Sequence, residues 1–261
     1  MEPNSKEAQP PFTVVKDDKE PDKLLEPATL MLNGHSVVSG ATVETPLYET
    51  NSIVTSIPQK GTSVAFGRVE HELSPKVEDA ASAKLQNQQL FYLAHPADAQ
   101  FQTDTPAYYL TSVSPEMPGN ISLEASVSRF QKPQFKALLS SGKTWSDSPL
   151  FDTNPKLLFE VKPKWMSARY TWTDFSGKQV AYEDRKDDQH RLVITASMTR
   201  QMRDTLVALW CLRLWHDTAE SSQAKRDSME RMTDPESLRG YRGSQLAKRV
   251  GAASSLAGAG A

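Results

Sequence analysis

Hydrophobic and polar residues alternate with a period of two along much of the middle of the chain, most clearly over 119–127. There Ile121, Leu123, Ala125 and Val127 alternate with Asn120, Ser122, Glu124 and Ser126, which predicts a strand with one face turned inward. Shorter segments of the same kind recur at 53–57, 63–70, 90–94, 108–113, 157–161, 168–174, 179–183 and 191–196. DFSG at 174–177 supplies turn chemistry and DRKDDQ at 184–189 a polar connection, so 168–196 reads as a three-stranded meander. Two stretches break the rhythm. Residues 75–89, rich in Ala, Gln and Lys, read as a loop or short helix, and 128–155, rich in Pro, Ser, Gly and Asp, as a long insertion loop.

A different pattern begins near Thr199, a suitable N-cap for a helix over about 199–217. Inside it, LVALWCL at 206–212 is apolar at every position. Seven such residues span nearly two helical turns and face every direction around the axis, so the helix must be surrounded. A bilayer needs roughly 20 apolar residues, and Arg213, His216 and Asp217 end the run too early. The surround is therefore protein. Burying Leu206, Val207, Leu209, Trp210, Cys211, Leu212, Leu214 and Trp215 contributes on the order of 12–24 kcal/mol of gross transfer free energy, an upper bound. The fold predicted is mainly β: a closed or nearly closed antiparallel β-barrel, free of edge strands, enclosing this C-terminal helix. An α+β sandwich with the helix between a sheet and the 128–155 insertion is the alternative.

The ends differ in composition. Residues 1–40 carry prolines and the mixed charge run KDDKE at 16–20 and read as a disordered N-terminal tail. Residues 220–261 finish in GAASSLAGAGA and read as a flexible C-terminal tail, leaving 41–219 as the barrel domain. The 30 basic and 32 acidic residues nearly balance, which argues against a chain-wide field for nucleic acid. Cys211 is the single cysteine, so no intramolecular disulfide forms and a thiolate zinc site lacks its ligands. The first thirty residues have no apolar core of a secretory signal, which suits a cytoplasmic protein or one attached peripherally to a membrane. Asn120-Ile121-Ser122 then fits the glycosylation pattern by coincidence.

Several residues invite chemistry and are read more simply. Gly142-Lys143-Thr144 lacks the earlier glycine of a phosphate loop, because that position is Ala137. His190 beside Asp184, Asp187 and Asp188 fits no metal spacing and reads as a solvated connection. Cys211 reads as an inert core residue, and His216 with Arg213 as charges that complement the helix C-terminus. The basic features remain. Lys156, Lys162, Lys164 and Arg169 cluster around Trp165, a combination suited to a membrane interface or an anionic partner. Arg239, Arg242, Lys248 and Arg249 around Leu246 and Val250 offer a basic amphipathic turn in the tail.

PLYETNSIV from Pro46, LLFEVKPK from Leu157, RYTWTDFSGKQVAYED from Arg169 and QHRLVITASMTRQMRDTLVALWCLRLWHD from Gln189 resemble a group of uncharacterised fungal proteins. Over roughly 45–218 these in turn resemble the tubby C-terminal-like superfamily, which includes tubby, LURP-one-related and phospholipid scramblase proteins. The resemblance implies a β-barrel around a hydrophobic helix. Tubby proteins bind phosphoinositides through Lys and Arg side chains, but no binding residue matches position by position and none is carried over. The expectation is a non-enzymatic module binding an anionic phospholipid surface through Lys156, Lys162, Lys164, Trp165 and Arg169, without metal or cofactor. The alternative is a scaffold for an unknown protein partner. An enzyme is least favoured.

Overall fold

The structure, a computed structural model, describes residues 24–40, 42–56, 63–71, 85–96, 105–126, 132–164, 169–186 and 188–222, with 224 and 226. The first half of the chain forms β1 (Leu24–Leu25), β2 (Ala28–Asn33), β3 (Ser36–Ser39), β4 (Thr42–Thr50), β5 (Ser63–His71), β6 (Leu85–Ala94) and β7 (Tyr109–Ser112). The second half forms β8 (Gly119–Ser126), β9 (Gln134–Ser141), β10 (Lys156–Pro163), β11 (Tyr170–Asp174), β12 (Gln179–Lys186), β13 (Gln189–Ile194) and β14 (Met198–Thr199), followed by α1 (Arg200–Ala219).

Strands β2 to β13 close into one barrel in sequence order, every neighbour antiparallel. The seam is the pairing of β13 with β2, with Leu192 opposite Leu30 and Ile194 opposite Ala28. Closure leaves no open edge, which is what many short strands need. Helix α1 runs inside. Every residue from Asp204 to His216 is buried, so the all-round apolar run sits where its pattern demands. Thr199 caps the helix through its hydroxyl, which accepts from Met202 N at 3.3 Å.

The barrel begins earlier than composition suggests. Within the expected 1–40 tail, β2 and β3 are full barrel strands, joined by a two-residue turn in which Gly34 adopts φ 60°. Leu30, Leu32, Val37 and Val38 are buried and supply the apolar face that prolines and charges elsewhere in the segment obscure. Residues 1–23 lie outside the described residues, as does the tail beyond 226, including its basic cluster.

The long insertion expected at 128–155 is likewise interrupted by β9, whose Phe135 and Ala137 point into the core between β8 and β10. After β9, residues 142–155 form a loop that is built rather than loose, and 128–131 lie outside the described residues. Asn120 Nδ2 donates to Thr144 O and Leu150 O, each at 2.9 Å, and Asp147 accepts from Thr144 N and Oγ1. This cover buries Asn120 and Ser122 on the face of β8 expected to be solvated. Ala125 is exposed at the rim and Val127 lies outside the described residues. Of the 53–57 segment, residues 53–56 form a turn with Ser56 N donating to Ile53 O, residue 57 lies outside the described residues, and the strand nearby is β4. Of 75–89, residues 85–89 belong to β6 and 75–84 lie outside the described residues.

Candidate functional site

Antiparallel order sorts the connections between two ends of the barrel. The β2–β3, β4–β5, β6–β7, β8–β9, β10–β11 and β12–β13 turns share the end reached by the C-terminus of α1, and the remaining turns share the end where α1 starts. Each end holds one buried charged group of the helix, and the two are treated differently.

At the start of α1, Asp204 is fully buried and accepts from Tyr48 Oη at 2.7 Å and from Arg68. Burial raises its pKa, opposed by the Arg68 charge and the Tyr48 hydrogen bond. Arg68 also meets Glu70 at 2.9 Å, and Arg200 reaches Glu70 at 3.4 Å. Over this network lies the β1–β14 ribbon, where Glu26 O accepts from Arg203 and Glu26 Oε2 accepts from Ser197 Oγ at 3.2 Å. The Asp204 carboxylate is paired, Arg203 Nε is buried without a partner, and the end is covered.

About two and a half turns further along α1, Arg213 is 2% exposed. Alternation along β12 turns Ala181 and Glu183 inward, and Glu183 pairs with Arg213 while accepting from Trp172 Nε1 at 2.9 Å. Asp217 takes the other guanidinium nitrogen at 2.6 Å, and Tyr170 lies 4.4 Å from the guanidinium carbon, ring face on. Burial raises the Glu183 pKa against the pull of Arg213. Burial also pushes on Asp217, yet His216 and Arg213 hold its carboxyl below the usual range. Arg213 therefore sits inside the core rather than complementing the helix end from the surface. His216 is 7% exposed and packs between Tyr108 and Phe135, with ring centroids at 4.8 and 4.9 Å.

A cleft of about 350 Å³ opens beside this cluster, lined by Lys132, Tyr170, Glu183, Asp184, Arg185, His190, Arg213 and Asp217. His190 is part of it, not a solvated connection. Burial lowers its pKa, as do the charges of Arg185 and Arg213. Asp184 pairs with Arg169 at 3.2 Å, and Asp187 lies outside the described residues. Among the described residues Arg185 has its one ion pair with the exposed Asp188, at 3.1 Å.

Of the predicted basic cluster, Lys162, Lys164 and Arg169 come together at the β10–β11 turn on this same end. Lys162 is tied to Glu160 at 2.6 Å, while Lys164 is exposed and has no ion pair among the described residues. Lys156 is not with them: it begins β10 and lies six residues away, roughly 20 Å along the strand, at the opposite end. Trp165 lies outside the described residues. Periodicity alone did not reveal Lys132, Arg185 and Lys186, which the neighbouring β8–β9 and β12–β13 turns bring to the same rim. A signal for the core pair was present, because Glu183 is an acid at an inward strand position and Arg213 a base set directly after the apolar run 206–212.

The other motifs fall away from this end. Gly142-Lys143-Thr144 is the turn after β9, with Thr144 held by Asp147. Cys211 is fully buried, and burial pushes its thiol pKa up to about 12. Asn120 has both amide atoms bonded inside the fold, out of reach of a glycosyl transfer. Among the described residues no three His, Cys, Asp or Glu side chains converge as metal ligands, and no helix is long and apolar enough to cross a membrane. No protein-family model, curated protein or solved structure matches the chain.

Proposed function

We propose that this barrel is a non-enzymatic binding module of the tubby-like kind, attaching peripherally to anionic phospholipid through the end at which α1 terminates. The observation that carries the reading is the convergence of three adjacent turns. They bring Lys132, Lys164, Arg169, Arg185 and Lys186 to one rim, with Arg169 and Arg185 paired and the lysines free of ion pairs among the described residues. Each cation near an anionic surface contributes about 1 kcal/mol, roughly fivefold in affinity. The barrel around a buried helix supports the superfamily relationship as architecture. No cofactor enters this reading, and the location it implies is the cytoplasmic face of a membrane.

Sedimentation of the full chain with vesicles tests it. Vesicles containing phosphatidylserine should carry the protein down at low salt and release it at high salt, whereas neutral vesicles should not bind. Lys164→Glu with Lys186→Glu should weaken binding at least about tenfold. Equal binding of this variant, or none by the parent, overturns the reading.

A second reading, a protein-interaction scaffold, is favoured by one observation. Trp145 on the built 142–155 loop is 57% exposed and Phe175 on the β11–β12 turn 75%, both at the opposite end. Trp145→Ser with Phe175→Ser should therefore leave vesicle binding unchanged.

A further inference from the structure

The charged groups that line the cleft at the end of α1 cancel in number, three acids against three bases, but not in availability. Glu183 is bonded to Arg213 and Trp172, Asp217 to Arg213, and Asp184 to Arg169 and to Arg185 N at 2.9 Å. The donors are less occupied. Lys132 is exposed and unpaired among the described residues. Among the described residues Arg185 has its one ion pair with Asp188, whose side chain is 94% exposed, a pairing worth little in water. His190 makes no hydrogen bond among the described residues and is partly buried. The last donor is the most telling. Arg213 Nε is buried and without a partner, although both terminal nitrogens of the same guanidinium are bonded. A buried N–H with no acceptor carries a desolvation cost that an incoming acceptor relieves, and although Arg191 Nε and Arg203 Nε are also unpartnered, Arg213 is the one of the three that lines this cleft.

We infer that this cleft is a binding site for a phosphate monoester group, with Lys132, Arg185, His190 and the Arg213 Nε–H as its donors. The donors belong to separate elements, Lys132 before β9, the cross-strand neighbours Arg185 and His190 on the β12–β13 hairpin, and Arg213 on the helix, a set that can serve a group with three terminal oxygens. The volume exceeds that of phosphate alone and leaves space for a small attached moiety. The C-terminus of α1 opposes an anion with about half a charge. Two of its carbonyls are already taken, because Glu220 N donates to His216 O and Ser221 N to Thr218 O. The site stands apart from the membrane reading, since the phosphate belongs equally to a soluble molecule or to a lipid headgroup.

Inorganic phosphate, titrated into the full chain at constant ionic strength and followed by ¹H–¹⁵N correlation spectra, is the test. The Arg213 Nε–H signal and the His190 ring signals should move together and saturate in the low millimolar range, as expected for a few charge-assisted bonds. Lys132→Ala and Arg185→Ala, both exposed and outside the core, should each weaken the titration about fivefold or more, and Lys178→Ala at the other end should not change it. Absence of a saturable shift at Arg213 Nε–H, or the same shift with chloride, overturns the site. If phosphate saturates it, vesicles of phosphatidic acid and phosphatidylserine at matched charge identify the source: preference for phosphatidic acid means a lipid headgroup, and equal binding a soluble phosphate. The Lys164→Glu, Lys186→Glu variant separates the two proposals, because it should lose vesicles and keep phosphate.

Discussion

Helix α1 carries one buried charge near each of its ends, and the barrel handles them in opposite ways. Around Asp204 the partners are redundant. Tyr48 and Arg68 both bond to it, Arg200 and Glu70 extend the network, and the β1–β14 ribbon covers the end. Around Arg213 the partners are Glu183, the half-exposed Asp217 and the Tyr170 ring, the guanidinium Nε is left over, and the surrounding turns leave a cleft. A closed, redundantly paired end is what stability alone calls for. An open end with unpaired donors is where binding can be added without breaking the fold.

The hardest test of this comparison strikes between the ends. Leu209 is fully buried midway along α1, with no polar network in reach, so Leu209→Asp should abolish cooperative thermal unfolding. A variant that melts like the parent would show that the helix is not the core of the barrel. Next, Arg213→Ala leaves Glu183 buried without its countercharge, with Trp172 Nε1 as its donor, and should lower stability by about 3–5 kcal/mol in urea unfolding. Arg68→Ala should cost less, about 1–3 kcal/mol, because Asp204 keeps Tyr48 as a donor and the Arg200 charge nearby. Reversal of that order would sink the contrast between a covered end and one that opens on a cleft. The smallest effect is an absence: with its thiol pKa near 12, Cys211 should stay unmodified by a thiol reagent at pH 8 until denaturant is added. Prompt labelling of the native protein would mean that the barrel opens readily along its length.

The parts legible in the sequence were those with strong local periodicity. Alternation placed Ile121 and Leu123 inward, and the unbroken LVALWCL run required an enclosed helix. The β2–β3 hairpin was obscured because prolines and charges dominate the first forty residues, although Leu30, Leu32 and the Asn33-Gly34 pair carried its pattern. Lys162, Lys164 and Arg169 could be grouped because they border a single turn. Lys132, Arg185 and Arg213 could not, since strand register across the closed sheet brings them together. Lys156 was misplaced for the converse reason: nearness in sequence along an extended strand is distance in space.

The seam between β13 and β2 has a consequence for how the chain acquires its shape. Ile194 and Ala28, which face each other there, are about 165 residues apart, and closing a loop of that length costs on the order of 4–5 kcal/mol of chain entropy before any contact compensates. During synthesis from the N-terminus, β2 and β3 emerge among the first strands, yet their outer neighbour and the helix that fills the barrel are made last. The early hairpins must therefore wait with apolar faces uncovered, and folding becomes a late, collective event triggered by the final third of the chain.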